Sequence, residues 1–534
     1  MTIHLSLMLW APAAFALLGA LFSGGGRTIT RAIAGVGTLI ALGYAIALVV
    51  DYKSGGGQQY VTDRMWIREL GIHYKLGVDG LNLFLILLTS VLFTATTLWS
   101  LQDDRAREGT YWLHLGLGHT FVLGALMAQD LALFVAFFDL MLIPFFFLSL
   151  GWGDGPRAER AAAVTKLVIY TLVGSLLMLT AAIALAVLSA SQSGNDLSFA
   201  FSDLQQVTLT KGSQEWIFLC FAAAFLVKMP SFPFHGWMPD GYRSLPLPVL
   251  AVFSGVLSKV AAYGFLRIVV PLLPDAAVHF QTLMLLIALA SVLYGSVMAF
   301  TTTNARIILG YSSLAQLGFI VLGVFSLTEQ GAQGAILQSV NHGLVVAPAF
   351  FLVGAAAKRA GGSEDIRDMG GIAFRAPILT VLFLIVAMAN LAIPGSSNFV
   401  GEFLILLGVF NAKLAIACIA FTGVALAAVY TLRLFIRAMH NRVGQRVDSR
   451  DLSLGDALVL VPLVACILGL ALYPQLALKK GERTVKGSVA AARQITHPPK
   501  AAAAARVPAG GQTVPLDPTT GQPVDPSATG GTTP

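Results

Sequence analysis

Apolar windows of about 20 residues recur along most of the chain, and short polar segments separate them. Each window is long enough for an α-helix to cross the hydrocarbon core of a bilayer. The pattern therefore predicts an all-α, polytopic membrane protein with about fourteen transmembrane helices. They are expected at 4–22, 30–50, 78–100, 111–128, 130–151, 164–189, 215–236, 246–270, 280–300, 307–327, 331–356, 376–409, 412–437 and 455–475.

Two of these windows contain residues that break helices. The seventh ends in MPSFPF, and the twelfth contains AIPGSSNFVGEF. Proline removes a backbone hydrogen bond and clashes with the preceding turn. The breaks at Pro230 and Pro394 each fall in the fourth window of a five-window segment, 111–270 and 280–437, so the spacing indicates two five-helix repeats.

The rest of the chain divides around these repeats. Three windows precede them at 1–110, and a last transmembrane helix with its flank follows at 438–490. From 495 to 534 the sequence is rich in Pro, Gly, Thr and Ala without an apolar period. Such a segment buries too little surface to offset its chain entropy, so we expect a disordered tail.

Composition supports a membrane protein. Of the 534 residues, 56% are hydrophobic and 11% are charged, less than half the charged share of a soluble domain. Arg and Lys concentrate in the odd-numbered loops, so the positive-inside rule places those loops in the cytoplasm.

The sequence offers no recognisable cofactor site. Its three cysteines, Cys220, Cys418 and Cys466, are too far apart for the closely spaced thiolates of an iron–sulfur cluster. Dinucleotide and P-loop fingerprints are missing, and the histidines do not define two facing haem ligands. We therefore expect no cofactor or metal in this chain.

Ionisable residues inside the windows are the most informative feature. Each costs free energy in hydrocarbon and is therefore a functional candidate. Five are singled out as candidates: Asp139, Lys166, Lys228, Lys259 and Glu402. Lys166 lies near the start of its window and could instead extend to the interface.

Their chemistry suits proton transfer. A nearby carboxylate stabilises the charged form of a lysine, and an apolar setting disfavours it. Moving or neutralising the carboxylate therefore makes the lysine release its proton. Asp139 and Lys228 are a candidate gate of this kind, with Lys259 and Glu402 further along, and a set of static ion pairs is the alternative. The histidines His235 and His342, within windows or at their ends, are further proton carriers.

A set of stretches between about residues 74 and 475 resembles the antiporter-like membrane subunits of respiratory complex I, the NADH-quinone oxidoreductase. They are YKLGVDGLNLFLILLT, FFDLMLIPFFF, KLVIYTLVGSLLML, VKMPSFPFHGWMPD, GVLSKVAAYGFLRI, GYSSLAQLGFIVLG, NHGLVVAPAFFLVG and IPGSSNFVGEFLIL. The set is specific, although any one stretch alone is weak.

The resemblance implies two inverted five-helix repeats with discontinuous helices seven and twelve. It also implies a proton path whose family positions fall on Asp139, Lys228, Lys259 and Glu402. Redox chemistry would then take place in partner subunits that carry flavin and iron–sulfur clusters. The implied neighbours are L-type and N-type antiporter-like chains in a bacterial cell membrane. A subunit of an Mrp-type cation/proton antiporter or of a membrane-bound hydrogenase is the alternative.

The sequence departs from the family pattern at three positions. Asp139 stands where the family usually has Glu, so its ion pair with Lys228 is expected to be longer or bridged by water. Tyr242 and Gln316 each replace a histidine, and glutamine cannot titrate. No long amphipathic helix is expected after the last window, which argues against an L-type chain.

Overall fold

The computed structural model is almost entirely helical, as the apolar windows predict. It describes residues 4–496 except 56, 445, 446 and 449, so the predicted tail lies outside the described residues apart from its first two positions.

The first half of the bundle comprises α1 (Leu5–Leu21), α2 (Arg27–Asp51), α3 (Leu83–Ser100), α4 (Glu108–Met127), α5 (Leu131–Leu140), α6 (Ile143–Trp152), α7 (Arg157–Ser193), α8 (Phe201–Leu204), α9 (Lys211–Lys228), α10 (Met238–Ser244), α11 (Leu247–Val252), α12 (Ser258–Gly264) and α13 (Val270–Leu272).

The second half continues with long helices that pack against the first. It comprises α14 (Pro274–His279), α15 (Gln281–Thr301), α16 (Ala305–Phe325), α17 (Glu329–Arg359), α18 (Pro377–Asn390), α19 (Ser397–Ala412), α20 (Leu414–Met439), α21 (Leu454–Leu472) and α22 (Gln475–Thr496). Within the described residues, ten helical segments are long and apolar enough to cross a membrane, and three shorter apolar helices accompany them. The exact count of fourteen stays a prediction.

Both predicted helix interruptions are present. Helix α9 ends at Lys228 and α10 begins at Met238, while α18 ends at Asn390 and α19 begins at Ser397. The residue before a proline avoids the helical conformation, and Met229, which precedes Pro230, is extended. Each break leaves helix ends, with their unpaired backbone groups, inside the bundle.

Two further irregularities have no counterpart in the sequence analysis. One predicted helix divides into α5 and α6 on either side of Met141 and Leu142. The helix that carries Lys259 contains π-helical turns at Phe253–Leu257 and Phe265–Val269, on either side of α12. Such turns widen a helix locally and frequently occur at functional sites.

Three helical segments form the centre of the bundle. In Leu247–Leu272, in α16 and in α17, every residue of the apolar window is buried inside the protein. Polar side chains on these segments therefore depend on other protein groups or on internal water for hydrogen bonds.

Two elements outside the bundle lie at the same end of it. Strands β1 (Gln59–Ile67) and β2 (Ile72–Val78) form an antiparallel hairpin. Gln129, two residues before α5, donates its backbone N–H to the backbone oxygen of Lys75 in β2, at 2.8 Å. The C-terminal helix α22 packs against α13, α14 and α17. Lys480 in α22 donates to the backbone oxygen of Tyr52 at 2.8 Å.

Helix α22 corrects the sequence analysis. No long amphipathic helix was expected after the last window, but α22 has 22 residues and buries one face. Val485, Val489 and Ala492 form that face, at the i, i+4, i+7 spacing of an amphipathic helix. The argument against an L-type chain therefore loses this support.

Candidate functional site

Asp139 and Lys228 lie together, as proposed from the sequence. The Lys228 Nζ is 3.7 Å from Oδ1 of Asp139, but it donates a shorter hydrogen bond, 2.7 Å, to the backbone oxygen of Phe138. It also lies 4.0 Å from the centre of the Phe138 ring. A charged hydrogen bond between an ammonium and a carboxylate is typically about 2.7–2.9 Å, so this ion pair is loose.

The two partners differ in exposure. The Lys228 side chain is 3% exposed, whereas that of Asp139 is 36% exposed on the outer face of the chain. Oδ1 of Asp139 also accepts from the Ser175 hydroxyl on α7 at 2.5 Å. Asp139 is therefore held between a buried cation and a surface that another protein or lipid can reach.

Lys259 has a different environment. It is fully buried on α12, and its Nζ donates to the backbone oxygen of Ser254 at 2.6 Å. Ser254 belongs to the preceding π-helical turn. Lys259 makes no ion pair with any of the described residues.

His342 on α17 is the ionisable neighbour of Lys259. The two side chains are close enough to interact electrostatically. His342 is fully buried, and neither of its ring nitrogens has a hydrogen-bond partner within the described protein. A buried polar ring without a protein partner is a natural position for internal water.

Glu402 occupies the second break. It lies in the second turn of α19 and is buried. Its Oε1 accepts from Nε2 of Gln316 at 2.8 Å and, more weakly, from Nε2 of Gln338 at 3.4 Å. The Gln338 amide also donates to Oε1 of Gln316 at 2.9 Å, so the three side chains form one cluster.

Polar side chains connect the surroundings of Lys259 with this cluster. The hydroxyls of Ser254 and Ser313 lie 3.3 Å apart, and Gln316 follows Ser313 by one turn on α16. Several buried polar atoms near the second break also have no hydrogen-bond partner among the residues that the structure describes: Gln338 Oε1, Asn341 Oδ1, Ser396 Oγ, Ser397 Oγ and both side-chain polar atoms of Asn398. Such a group of polar atoms suits bound water.

Ser254, Ser313 and Gln338 were not predicted as site residues from the sequence. A signal for them is present, because Ser313 and Gln316, and likewise Gln338 and His342, are spaced to share one face of an apolar helix. Arg267 and Asp79, inside the windows 246–270 and 78–100, were likewise not predicted, and they form a buried ion pair.

The remaining two predicted residues are His235, which is buried, and Lys166, which is partly exposed. His235 is in the break between α9 and α10, and its ring centre is 4.8 Å from that of Tyr294. Lys166 pairs with Asp240 at 2.8 Å, and both side chains are more than 40% exposed. Among the residues that the structure describes, no group of three or more His, Cys, Asp or Glu side chains is placed to hold a metal ion.

A membrane bundle in which two helices break beside a buried lysine and a buried glutamate is the architecture of an ion-translocating protein. Comparison with known proteins defines the class more closely. The family described as NADH:quinone oxidoreductase/Mrp antiporter, transmembrane, matches residues 128–427. The chain belongs to this family.

Named relatives cover nearly the whole chain. NADH-quinone oxidoreductase subunit M of Rhodobacter capsulatus is 34% identical over 487 residues, 88% of this chain and 93% of the relative. The subunit of the same name from Mycobacterium tuberculosis is 32% identical over 547 residues, 95% of this chain and 98% of the relative.

Solved structures agree with this assignment. A chain of respiratory complex I from Thermus thermophilus superposes with a TM-score of 0.83 at 29% identity and covers 92% of this chain and 100% of that chain. A chain of the Mrp complex from a Dietzia species has a TM-score of 0.77 at 21% identity and covers 91% of this chain and 52% of that chain, a likeness of fold alone.

Proposed function

We propose that this chain is the M-type subunit in the membrane arm of a bacterial NADH-quinone oxidoreductase, and that it moves protons across the membrane. The relatives that span its length carry this name. Electron transfer from NADH to quinone would take place in partner subunits that hold the flavin and the iron–sulfur clusters, and this chain would contribute proton transfer only.

The loose contact between Asp139 and Lys228 is the observation that carries the proposal. The lysine has two alternative acceptors, the Asp139 carboxylate and the Phe138 carbonyl. A full charge on Asp139 stabilises the ammonium, whereas the carbonyl offers only a dipole. Neutralising Asp139 or drawing it away therefore favours release of the Lys228 proton toward the interior of the bundle.

The onward path runs along the central helices. A proton from Lys228 would pass through internal water to Lys259 and His342, whose ring nitrogens are open to it. Ser254, Ser313 and Gln316 would extend the hydrogen-bonded route to Glu402. Glutamine cannot titrate, so we assign Gln316 to holding the carboxylate and not to carrying the proton.

We further propose that Lys166 and His235 belong to the entrance of the path. Both lie toward the end of the bundle where α6 ends and α7 begins, and Lys166 faces a cavity of about 480 Å³ together with Asp240 and Arg243. The segments 111–270 and 280–437 would act as two repeats, each with one broken helix.

The other proposed partners are L-type and N-type antiporter-like chains. The outward exposure of Asp139 supports a neighbour at this face, since a charge in a lateral membrane surface is costly without a polar partner. A neighbouring chain that presents a cation there would draw the carboxylate away from Lys228, which would couple the two subunits.

The test is proton pumping by the assembled complex in sealed vesicles. We expect Lys228→Ala to abolish most of the NADH-driven pH gradient while the complex still assembles. Lys211→Ala, at the exposed start of the same helix, is the matched control and is expected to pump normally. Full pumping by assembled Lys228→Ala would contradict the proposed path.

Purification of the native complex distinguishes the Mrp-type alternative. A complex that co-isolates with flavin and iron–sulfur subunits and oxidises NADH supports the proposal. A complex without them, which exchanges cations for protons under an ion gradient, would instead identify an Mrp-type antiporter subunit.

A further inference from the structure

A groove lies at the end of the bundle where α20 ends. Its volume is about 810 Å³. Arg367 and Met369, from the segment between α17 and α18, line one side. Ile436 and Arg437 from α20 line the other, with Asn441 and Arg442 from the turn that follows.

The groove has an excess of positive charge. Three of its lining residues are arginines, and none is acidic. Arg367 is engaged by Asp365, through contacts of 2.7 and 3.0 Å. Arg437 and Arg442 are exposed, and neither side chain makes a hydrogen bond or ion pair to any residue that the structure describes. The neighbouring Asp368 does not line the groove, and its carboxylate accepts from Ser363 at 2.6 Å.

The walls are held in place by backbone contacts. Gly370 and Gly371 adopt positive φ angles of 123° and 66°, which brings the segment close to the turn after α20. Their backbone bonds to that turn, since Gly371 N–H donates to the oxygen of His440 and Gly444 N–H donates to that of Gly370. A side chain at Gly370 would clash with the backbone oxygen of Arg442. The two free guanidinium groups therefore lie on a defined surface.

An apolar stripe continues from the groove along the outside of α20. Val429, Leu432 and Ile436 follow the i, i+3, i+7 spacing of one helix face, and their side chains are 49%, 37% and 46% exposed. This helix is among those long and apolar enough to cross a membrane. A molecule with an anionic head and a long apolar chain fits both parts of the surface.

We propose that this groove is a binding site for the phosphate headgroup of an anionic membrane lipid. The planar guanidinium groups of Arg437 and Arg442 match phosphate oxygens in geometry and charge. The acyl chains would lie along Val429, Leu432 and Ile436. Basic pockets at the membrane interface between transmembrane helices bind such headgroups in other proteins.

The test uses the purified complex in nanodiscs of phosphatidylcholine that contain a small share of a photo-crosslinking phosphatidylglycerol analogue. We expect lipid adducts on the peptides that contain Arg367 and Arg442. Arg437→Gln/Arg442→Gln should reduce these adducts roughly tenfold. Arg64→Gln/Arg68→Gln removes the same charge from two exposed positions in and beside the hairpin, and it should leave them unchanged.

Competition distinguishes the source of the phosphate. Unlabelled phosphatidylglycerol present before irradiation should suppress formation of the adducts, and inorganic phosphate at the same concentration should not. Equal labelling of the Arg437→Gln/Arg442→Gln variant would overturn the proposal. Cross-linking of the groove to another subunit in place of lipid would also overturn it and assign the groove to a protein partner.

Discussion

Each of the two helix breaks places a charged side chain near a helix end, and the two charges have opposite signs. Lys228 is the last residue of α9, at the end where backbone carbonyl oxygens are unpaired. Glu402 is in the second turn of α19, near the end where backbone N–H groups are unpaired. A helix favours cations at its C-terminus and anions at its N-terminus, so each charge has the sign that the nearby helix end favours. The effect fades beyond the terminal turn and is therefore weaker at Glu402 than at Lys228.

The side-chain partners of Lys228 and Glu402 differ more than the backbone around the two residues. Lys228 has a charged partner, Asp139, which is partly exposed and whose distance from Nζ exceeds that of a direct hydrogen bond. Within the described part of the chain, the partners of Glu402 are both neutral, the amides of Gln316 and Gln338, and all three side chains are buried. The carboxylate at the first break is therefore accessible from outside the chain, while the carboxylate at the second is enclosed by the protein. This difference suits a proton path that is controlled by external charge at one end, the end with Asp139 and Lys228.

Reversing the charge at the first break should have the largest effect. Lys228→Glu places a carboxylate beside Asp139 and at the carbonyl end of α9, so that both the side chain and the helix end repel it. We expect a loss of about 3 kcal/mol or more in stability. The measurement is the amount of assembled complex and its thermal unfolding temperature.

Lys211→Glu provides the control for charge alone, because Lys211 starts the same helix at an exposed position. It should assemble normally. A Lys228→Glu complex as stable as the wild type would show that neither Asp139 nor the helix end acts on this position.

Removing the charge of Asp139, the partner of Lys228, should have the next largest effect. Asp139→Asn keeps the shape of the side chain and removes its charge, so proton pumping should fall roughly tenfold, equivalent to about 1.4 kcal/mol in the barrier. Asp139→Glu adds one methylene, which allows the carboxylate to approach Lys228 more closely. Asp139→Glu should therefore pump at about the wild-type level, unlike Asp139→Asn. A purely structural role of Asp139 would not produce this difference between the two variants.

Asp196→Asn is the matched control, because it removes an exposed carboxylate from the loop after α7. Equal pumping by Asp139→Asn and the wild type would separate Asp139 from the path. A further loss in Asp139→Glu would mean that the loose contact, and not the charge, is what matters.

The features predicted correctly from the sequence depend on local chemistry. Pro230 and Pro394 disfavour a helix through their own backbone, and each has further prolines or glycines close by, so both breaks were predicted. A single proline is not sufficient, because Pro348 lies inside the continuous helix α17. The cost of a charge in an apolar helix likewise drew attention to Lys228 and Glu402, both of which are buried.

The features that were missed depend on how distant segments pack. The sequence analysis noted Gln316 only as a replaced histidine, and its contact with Glu402 spans 86 positions. The π-helical turns beside Lys259 contain no proline, so no helix-breaking residue indicated them. The amphipathic pattern of α22 was present in the sequence, but the helix has too many charged and small residues to stand out as an apolar window.

The neutral partners of Glu402 should show the smallest single effect. Gln316→Leu removes the 2.8 Å hydrogen bond, but the Gln338 amide at 3.4 Å can move closer and replace it. We therefore expect a loss of only about 1 kcal/mol in stability. Gln316→Leu/Gln338→Leu leaves the buried carboxylate without either amide, so its cost should exceed the sum of the two single variants.

Thermal unfolding of the four forms of the complex measures this coupling, with Gln205→Leu as an exposed control. Additive losses would mean that the two amides act independently and that the cluster is not a unit. The double variant Asp139→Asn/Gln316→Leu tests whether the two breaks are coupled. If its loss of stability equals the sum of the losses in the two single variants, and the two glutamines do show the expected coupling, the two breaks are energetically separate. The shielded break would then respond to the exposed one only through the proton that passes between them.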